Sequence, residues 1–413
     1  MRAEGAERPT GAERRVLFVE NSSEGTVGGS HRSLAGLIRT LDERFRPRVI
    51  LYSDNAMARE LKRGRVDVEV WDPPRRFNGA LDPVAAAHLV VRVVRCRRFL
   101  QAHRIDLVHL NNSPLYGFMD WLPAARLMGI PCISHVRTYA TRRPGTAIGR
   151  FLLRRFDRVV AVSRSAREAI VEAGVPSESV EVVYNGIDAR AFCDGVTEDV
   201  GAIRASLGLD DDDLMVAMVG HVRSWKGQDV AVEAFRLLRA ESRARMQLFL
   251  VGSLPEESRV YQQRLRETIA SAGLNDRIHL LGYTERVPDL MNAADVVLHA
   301  STEPEPGGRV LLEGMAMGKP VVASRLGCPP EVLSPECGIL FDPSNPEELA
   351  RILDDLLADP KRRRALGAAG TRWVERFTLT ENASKMEAIY DAALGARARP
   401  RSMGRMLRST PPE

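Results

Sequence analysis

The sequence predicts an α/β protein of two domains, each built on a doubly wound parallel sheet. Two segments about 200 residues apart begin alike: an apolar run of strand length (16–20 and 215–219), a glycine-containing loop, then a segment with helical periodicity (30–41 and 227–238). A chain of 413 residues also fits two domains at the usual ~100–200 residues each. Two such openings therefore predict two domains that start in the same way.

Further apolar runs of strand length alternate with helical segments in both halves. They are rich in β-branched residues and lack strict alternation of apolar and polar positions, as expected for parallel strands covered on both faces. In the first half they span residues 46–53, 66–71, 105–110, 131–136, 158–163 and 180–185. In the second half they span residues 246–252, 277–282, 295–301, 319–324 and 338–343. Apolar periodicity is lost between 186 and 202, which predicts the domain boundary there.

Composition and charge exclude several classes of protein. Hydrophobic residues make up 44% of the chain, enough for two cores, and no apolar run approaches the ~18–20 residues of a membrane span. The 59 basic and 54 acidic residues are interspersed, so the concentrated basic stripe that nucleic-acid binding needs is missing. No secretory segment is recognisable and the five cysteines form no C-x-x-C pair, so we expect a cytoplasmic protein with reduced thiols.

The segment STEPEPGGRVLLEGMAMGKPVVAS (301–324) is the strongest candidate for a binding site. It follows a predicted strand, and a helix is predicted to begin directly after its two glycines. Its loop therefore lies at the carboxyl end of the sheet, where open α/β sheets bind ligands. Gly307 and Gly308 let a ligand approach the backbone, whose N–H groups suit an anion. Glu305 and Glu313 can accept hydrogen bonds from vicinal hydroxyl groups.

The loop VGHVRSWKGQD (219–229) is a candidate anion site. Lys226 stands at the start of a predicted helix, where the macrodipole disfavours a cation by a few tenths of a kcal/mol unless an anion is also bound. Arg223, three residues earlier, adds a guanidinium that matches phosphate oxygens. The loop predicts a phosphate-bearing ligand, with two solvated surface cations as the competing interpretation.

These segments resemble the retaining glycosyltransferases of family 4, which have the GT-B fold of two Rossmann-like domains facing across a cleft. The resemblance is carried by GGSHRSL (28–34), AVSRSAREAI (161–170), VYNGID (183–188), GHVRSWKGQD (220–229), LGYTERVPDLMNAADVVL (281–298) and EPGGRVLLEGMAMGKPVVAS (305–324). It implies transfer of a sugar, with retention of configuration, from a nucleotide-diphosphate donor to a glycan, glycolipid or small-molecule acceptor in cell-surface polysaccharide or glycoconjugate synthesis. It also implies that no metal or other cofactor takes part.

The resemblance assigns roles to the parts of the chain. Residues 15–195 are expected to form the acceptor domain, residues 196–374 the donor domain, and residues 375–395 a helix that returns to the first domain. We expect residues 1–14 and the basic tail 396–413 to be disordered.

Position by position, the resemblance implies a site divided between the two domains. The residues predicted to be catalytic are His135, Glu305, Lys226 and Arg223. The residues predicted to bind the donor are Gly28, Gly29, Gly220, His221, Tyr283, Val287, Gly307, Gly308, Arg309, Val310 and Glu313. The candidates on the acceptor side are His31, Asn111, Tyr116 and Arg137.

Individual roles follow from the same resemblance. Glu313 is expected to hold the ribose hydroxyls, Glu305 to contact the donor sugar, and Lys226 to neutralise the diphosphate. His135 is expected to face the donor sugar and the acceptor.

Two positions depart from the family pattern. His221 stands where the family usually has Arg, so either Arg223 compensates or His221 supplies a charge that depends on pH. Gly307 stands where the family favours an aromatic residue, which predicts a wider donor pocket.

Other interpretations of the sequence differ in how well they fit. A GT-B sugar-nucleotide epimerase or phosphorylase and an inactive nucleotide-sugar-binding protein remain open. A dinucleotide oxidoreductase is disfavoured because neither glycine loop has the G-x-G-x-x-G pattern with an acidic residue ~20 positions on. The acidic run 210–213 precedes its strand and therefore predicts a solvated turn rather than a metal site.

Contact with an anionic membrane is a separate hypothesis. Segment 145–158 predicts a basic amphipathic helix, which either packs on its own sheet or lies on the membrane surface. The Arg-rich tail allows the same contact, at the inner face of the membrane.

Overall fold

The computed structural model describes residues 13–22, 27–74, 83–111, 120–139, 151 and 153–398. Its first sheet has seven parallel strands in the order β3-β2-β1-β4-β5-β6-β7. Their bounds are Arg14–Glu20 (β1), Phe45–Leu51 (β2), Asp67–Val70 (β3), Leu107–Asn111 (β4), Cys132–Val136 (β5), Arg158–Ala161 (β6) and Val180–Val182 (β7).

The second sheet has six parallel strands in the order β10-β9-β8-β11-β12-β13. Their bounds are Leu214–Val219 (β8), Met246–Val251 (β9), Ile278–Gly282 (β10), Val296–His299 (β11), Val321–Ser324 (β12) and Gly338–Phe341 (β13). In each sheet the first strand lies in the middle, and strand order reverses beside it, at β1/β4 and at β8/β11. Such switch points open a crevice at the carboxyl ends of the strands, and both glycine loops lie there.

Helices cover both sheets. In the first domain and the connection they are Gly29–Thr40 (α1), Ala56–Arg63 (α2), Pro83–Ala102 (α3), Trp121–Met128 (α4), Arg164–Glu172 (α5), Ala189–Cys193 (α6) and Val200–Ser206 (α7). In the second domain they are Gln228–Leu237 (α8), Ala240–Arg245 (α9), Arg259–Ser271 (α10), Val287–Ala293 (α11), Arg309–Ala316 (α12), Pro329–Val332 (α13), Pro346–Ala358 (α14) and Pro360–Trp373 (α15). The last helix, Leu379–Ala398 (α16), packs on the first domain.

The contact between α16 and the first sheet is buried. Met386 and Tyr390 lie in one apolar cluster with Val16 and Phe18 of β1, and the Tyr390 hydroxyl is 2.7 Å from Nδ1 of His109. Because the chain returns to its first domain, both ends of the described chain stabilise the same core.

The ends of the elements differ from the sequence expectations. Strand β1 begins at Arg14, which the sequence assigned to a disordered leader, because Arg14 pairs with Phe45 in the sheet. Helix α16 continues to Ala398, three residues into the expected tail. Residues 1–12 and 399–413 lie outside the described part.

Two other expectations concern the surface. Residues 145–150 and 152 of segment 145–158 lie outside the described residues, but Leu153 and Phe156 are buried in the first core while Phe151 is exposed. The acidic run 210–213 forms a turn before β8, where Asp213 accepts a hydrogen bond from the backbone of Asp210. Among the described helices, none combines the length and the apolar character that crossing a bilayer requires.

Candidate active site

A cavity of about 360 Å³ lies between the domains, at the carboxyl ends of both sheets. It brings together twelve of the residues predicted from the sequence: Gly28, Gly29, Arg137, Gly220, His221, Lys226, Tyr283, Val287, Glu305, Arg309, Val310 and Glu313. The other residues that line it are Val27, Ser30, Arg32, Val219, Trp225, Val251, Gly252, Ser253, Thr284 and Pro306. The predicted site residues of two domains therefore meet in one cleft.

Glu305 is held by a cation from a different loop of the second domain. Nζ of Lys226 lies 2.7 Å from Oε2 of Glu305, and Nε2 of His299 lies 3.2 Å from the same oxygen. The other oxygen accepts a hydrogen bond from the backbone N–H of Gly308 at 3.3 Å. Burial by itself would raise the pKa of Glu305, but the charge of Lys226, together with His299, lowers that pKa well below its usual value. Glu305 is therefore an ionised acceptor at neutral pH.

The turn that carries Lys226 depends on a glycine. Residues Ser224–Lys226 form a 3₁₀ turn that ends at Gly227 with φ +72°. A Cβ atom on Gly227 would lie 1.9 Å from the carbonyl oxygen of Ala300, at the end of β11. The absence of a side chain thus allows the lysine turn to pack against the strand that leads to Glu305.

Arg309 and Glu313 form the second cation–carboxylate pair. Nε of Arg309 donates to Oε1 of Glu313 at 2.8 Å, at the i, i+4 spacing of helix α12. Arg309 also reaches the carbonyl oxygen of Gly186, at 3.4 Å. Helix α12 begins after Gly308, whose φ of +52° favours glycine, and its N-terminus faces the cleft.

His221 lies where the two glycine loops approach each other. Its Nδ1 hydrogen-bonds to Oγ of Ser253, and its backbone oxygen accepts from Nε2 of Gln228 at 3.1 Å. A Cβ atom on Gly28 would lie 3.4 Å from Nε2 of His221. The ring of His221 therefore contacts the loop of the first domain.

Arg223 does not line the cavity. Its guanidinium donates to Oε1 of Glu257 at 2.8 Å, and Glu257 does not line the cavity either. The contact of Arg223 with the donor phosphates, and its compensation for His221, stay predictions.

Arg137 links several elements on the first-domain side. Its Nε donates to Oδ1 of Asn111 and its Nη1 to Oδ1 of Asn185, both at 2.6 Å. Nδ2 of Asn185 donates in turn to the carbonyl oxygen of Gly307, at 3.0 Å, across the cleft. Burial lowers the pKa of Arg137 to about 10, with Glu20 acting in the opposite direction, so Arg137 stays charged at neutral pH.

His135 lies behind Arg137 and does not line the cavity. It is 1% exposed, and its Nδ1 is 3.5 Å from Nη2 of Arg137. Burial lowers the pKa of His135 well below its usual value, and Arg137 and His109 lower it further, so the ring is neutral. His135 is placed to orient Arg137 in this conformation, and its predicted contact with the sugar and acceptor remains a prediction.

The remaining predicted residues occupy other positions. His31 is 2% exposed and accepts from the backbone N–H of Gly28 at 3.3 Å, so it supports the glycine loop from within α1. Asn111 is fully buried and bonds to Glu20 and Arg137. The sequence predicted a wider pocket at Gly307, where the family favours an aromatic residue. A Cβ atom on Gly307 would lie 2.5 Å from Nδ2 of Asn185, so the amide of Asn185 occupies that space. Tyr116 lies outside the described residues.

Two side chains of the site were not predicted. His299 contacts Glu305, and Asn185 joins the two domains. His299 could have been found as a polar residue at the end of a strand that precedes the Glu305 loop, whereas Asn185 carries no such local signal. No group of His, Cys, Asp and Glu side chains suited to a metal ion occurs among the described residues.

Comparison with known proteins agrees with this architecture. Residues 27–191 match the family model described as Glycosyltransferase Family 4, and residues 199–373 match Glycosyl transferases group 1. The chain is 31% identical to D-inositol 3-phosphate glycosyltransferase of Segniliparus rotundus, over 71% of this chain and 68% of that protein. It is 28% identical to a GDP-mannose-dependent phosphatidylinositol monomannoside mannosyltransferase of Corynebacterium glutamicum, over 88% and 94%. It superimposes on Anabaena HepE in complex with UDP and glucose with a TM-score of 0.79, at 26% identity, covering 92% of this chain and all of that one.

Two parallel-sheet domains with a cleft at their switch points define a GT-B protein. The chain belongs to glycosyltransferase family 4.

Proposed function

We propose that this protein is a retaining glycosyltransferase that moves a sugar from a nucleotide-diphosphate donor to a glycan, glycolipid or small-molecule acceptor in the synthesis of cell-surface polysaccharide or glycoconjugates. One observation carries the proposal: two carboxylates, each held by a cation, line one cavity with the glycine loops of both domains. The binding of UDP and UDP-glucose by the Anabaena protein supports a nucleotide-sugar donor.

In the proposed reaction the bond between the anomeric carbon and the diphosphate oxygen breaks, and its electrons remain on the diphosphate. The acceptor oxygen bonds to the same face of that carbon, and its proton passes to a phosphate oxygen of the departing diphosphate. Lys226 and the N-terminus of α12 are placed to stabilise the growing negative charge. The protein then contributes by positioning the two substrates and by stabilising the charge on the diphosphate, and closure of the cleft limits hydrolysis.

The two carboxylates have separate roles in this proposal. Glu313 accepts from the ribose hydroxyls through the oxygen that Arg309 leaves available. Glu305, kept ionised by Lys226, accepts from a hydroxyl of the donor sugar. We propose that no metal or other cofactor takes part, because Lys226 and the arginines of the cleft supply positive charge; transfer that stops in EDTA would contradict this.

The proposal is tested by thermal unfolding with UDP, GDP, ADP and NAD at millimolar concentration. A ligand at 100 times its Kd stabilises the fold by about 2.7 kcal/mol, which gives a visible shift in Tm. We expect one nucleoside diphosphate to shift the wild type and to have no effect on Glu313→Ala. A shift with NAD alone, or with none of the four, would contradict the donor site.

Donor turnover separates transfer from its alternatives. Release of nucleoside diphosphate that requires an acceptor supports a transferase. Interconversion of the donor sugar without an acceptor would identify an epimerase, and tight binding without any turnover would identify a binding protein.

We further propose that the protein acts in the cytoplasm, bound peripherally at the inner face of an anionic membrane through helix α3. Val90, Val91 and Val94 are 63%, 66% and 43% exposed, and Arg95, Arg97 and Arg98 follow them on the exposed surface. Exposed apolar side chains beside basic ones suit an anionic lipid surface. Co-sedimentation with phosphatidylglycerol vesicles, reduced in a variant with the three valines changed to Gln, tests this proposal; equal binding of that variant would contradict it.

A further inference from the structure

The cations of the cleft differ in how their charge is compensated. Lys226 and Arg309, from the second domain, each contact a carboxylate, at 2.7 and 2.8 Å. Arg32 and Arg137 line the same cavity from the first domain. Within the described part of the chain, no carboxylate oxygen pairs with either of these two arginines.

Arg32 lies at the end of the first turn of α1 and is half-buried. Its guanidinium forms no side-chain hydrogen bond and no ion pair with the residues that the structure describes. An arginine cannot lose its charge by deprotonation near neutral pH, and a partly buried charge is costly unless it is compensated. Arg32 therefore presents a permanent charge to the cavity.

Arg137 is held in place by neutral groups. It donates to the amide oxygens of Asn111 and Asn185 and contacts Nδ1 of His135, which leaves two of its five N–H donors for other partners. Asn111 bridges Glu20 and Arg137, because it bonds to both. The network orients the guanidinium without neutralising it by direct contact.

We propose that Arg32 and Arg137 form a phosphate-binding site on the first-domain side of the cleft. Two guanidinium groups that share a cavity, one of them held in a fixed orientation, suit the oxygens of a phosphate. The cavity is also adjacent to the start of α1 at Gly29, where backbone N–H groups favour an anion. The phosphate is either part of the diphosphate of the donor or a group carried by the acceptor. Both possibilities rest on the proposed function, which supplies the donor and the acceptor.

The first experiment measures binding by calorimetry to the wild type, Arg32→Gln and Arg32→Lys. The ligands are the nucleoside diphosphate that gives a thermal shift and the corresponding nucleoside. For a donor phosphate, Arg32→Gln weakens binding of the diphosphate by about 10-fold or more and leaves that of the nucleoside unchanged, while Arg32→Lys retains part of the affinity.

The second experiment titrates inorganic phosphate into the protein, with and without saturating nucleoside diphosphate. For an acceptor phosphate, inorganic phosphate still binds the nucleotide-saturated wild type, and Arg32→Gln abolishes this binding without changing the affinity for the nucleotide. Phosphate that binds only the nucleotide-free wild type, and not the variant, supports the donor phosphate instead.

Arg39→Gln provides the matched control. Arg39 lies in the same helix, pairs with Glu60 and is 53% exposed, so the variant makes the same change of charge outside the cleft. Equal affinities of the wild type and Arg32→Gln for both the nucleotide and inorganic phosphate would overturn the site, as would equal effects of Arg39→Gln and Arg32→Gln. If no nucleotide binds the wild type, the donor assignment fails, and the titration with inorganic phosphate still decides whether the two arginines bind phosphate.

Discussion

The two sides of the cleft hold charge in different ways. On the second-domain side, Lys226 and Arg309 each contact a carboxylate that is less than 10% exposed. On the first-domain side, Arg137 is held by amide oxygens and Arg32 by no described polar partner. One side is formed of cation–carboxylate pairs, whereas the other carries positive charge without a direct counter-ion among the residues that the structure describes.

This difference indicates what each side is organised to do. A carboxylate fixed by a cation is an oriented acceptor for hydroxyl groups, as a ribose or a sugar offers. An uncompensated guanidinium attracts an anion instead. A ligand with both hydroxyl groups and phosphates would thus satisfy both sides, and its binding would draw the domains together.

The largest effect is expected from breaking the pair of Lys226 and Glu305. Lys226→Ala leaves a buried carboxylate without its cation, so we expect transfer to fall by about 10²–10³-fold and the free energy of unfolding to fall by about 3 kcal/mol at neutral pH. Steady-state kinetics and urea unfolding measure the two losses. Lys361→Ala, at an exposed lysine of α15, is the control and should change neither.

The same pair predicts a dependence of stability on pH. Because the folded pKa of Glu305 is depressed, the pair stabilises the fold fully above the unfolded value of about 4.3, and this contribution is lost as the pH falls toward the folded pKa. The free energies of unfolding of the wild type and Lys226→Ala should therefore differ less at pH 3.5 than at pH 7. These two pH values lie below and above the unfolded pKa of about 4.3. An equal difference at both pH values would mean that Lys226 does not stabilise the ionised carboxylate.

A smaller effect is expected from the contact that joins the two sides. Gly307→Ala places a Cβ atom 2.5 Å from Nδ2 of Asn185, which must move and weaken its hydrogen bond to the carbonyl of residue 307. Since Asn185 also orients Arg137, we expect the Kd for the nucleoside diphosphate to rise by about 10-fold. Gly395→Ala, where a Cβ atom meets nothing within 4 Å, should bind like the wild type. Unchanged binding by Gly307→Ala would show that the bridge does not contribute to the ligand-bound state.

Local sequence signals were sufficient for the fold. Each described strand overlaps a predicted apolar run, because a parallel strand buried on both faces leaves a continuous run of apolar residues. The two glycine loops at the switch points and the i, i+4 pair of Arg309 and Glu313 are local as well. Segment ends depended on pairing with distant strands, which is why β1 begins earlier than the apolar run.

The side-chain contacts within the site could not be predicted from the sequence and became visible only in the tertiary structure. Lys226 and Glu305 are 79 positions apart, and Asn185 and Gly307 are 122 apart, so no spacing in the sequence relates them. Arg223 was predicted to face the ligand because it precedes Lys226 by three residues, whereas in the structure its guanidinium pairs with Glu257 and neither residue lines the cavity. Resemblance to a family located the cleft, and only the geometry showed which charges are compensated.

The smallest effect is expected at His221, where the glycine loop of the second domain contacts that of the first. His221→Arg introduces a permanent charge next to Gly28, on the side of the cleft whose other cations are paired, so transfer should be preserved or raised about 2–5-fold near neutral pH. Ser253→Ala, which removes only the hydrogen bond to Nδ1, is the control for an altered ring orientation. A large loss of transfer in His221→Arg alone would show that this position does not face the diphosphate, and the contrast between the two sides would then rest on Arg32 and Arg137.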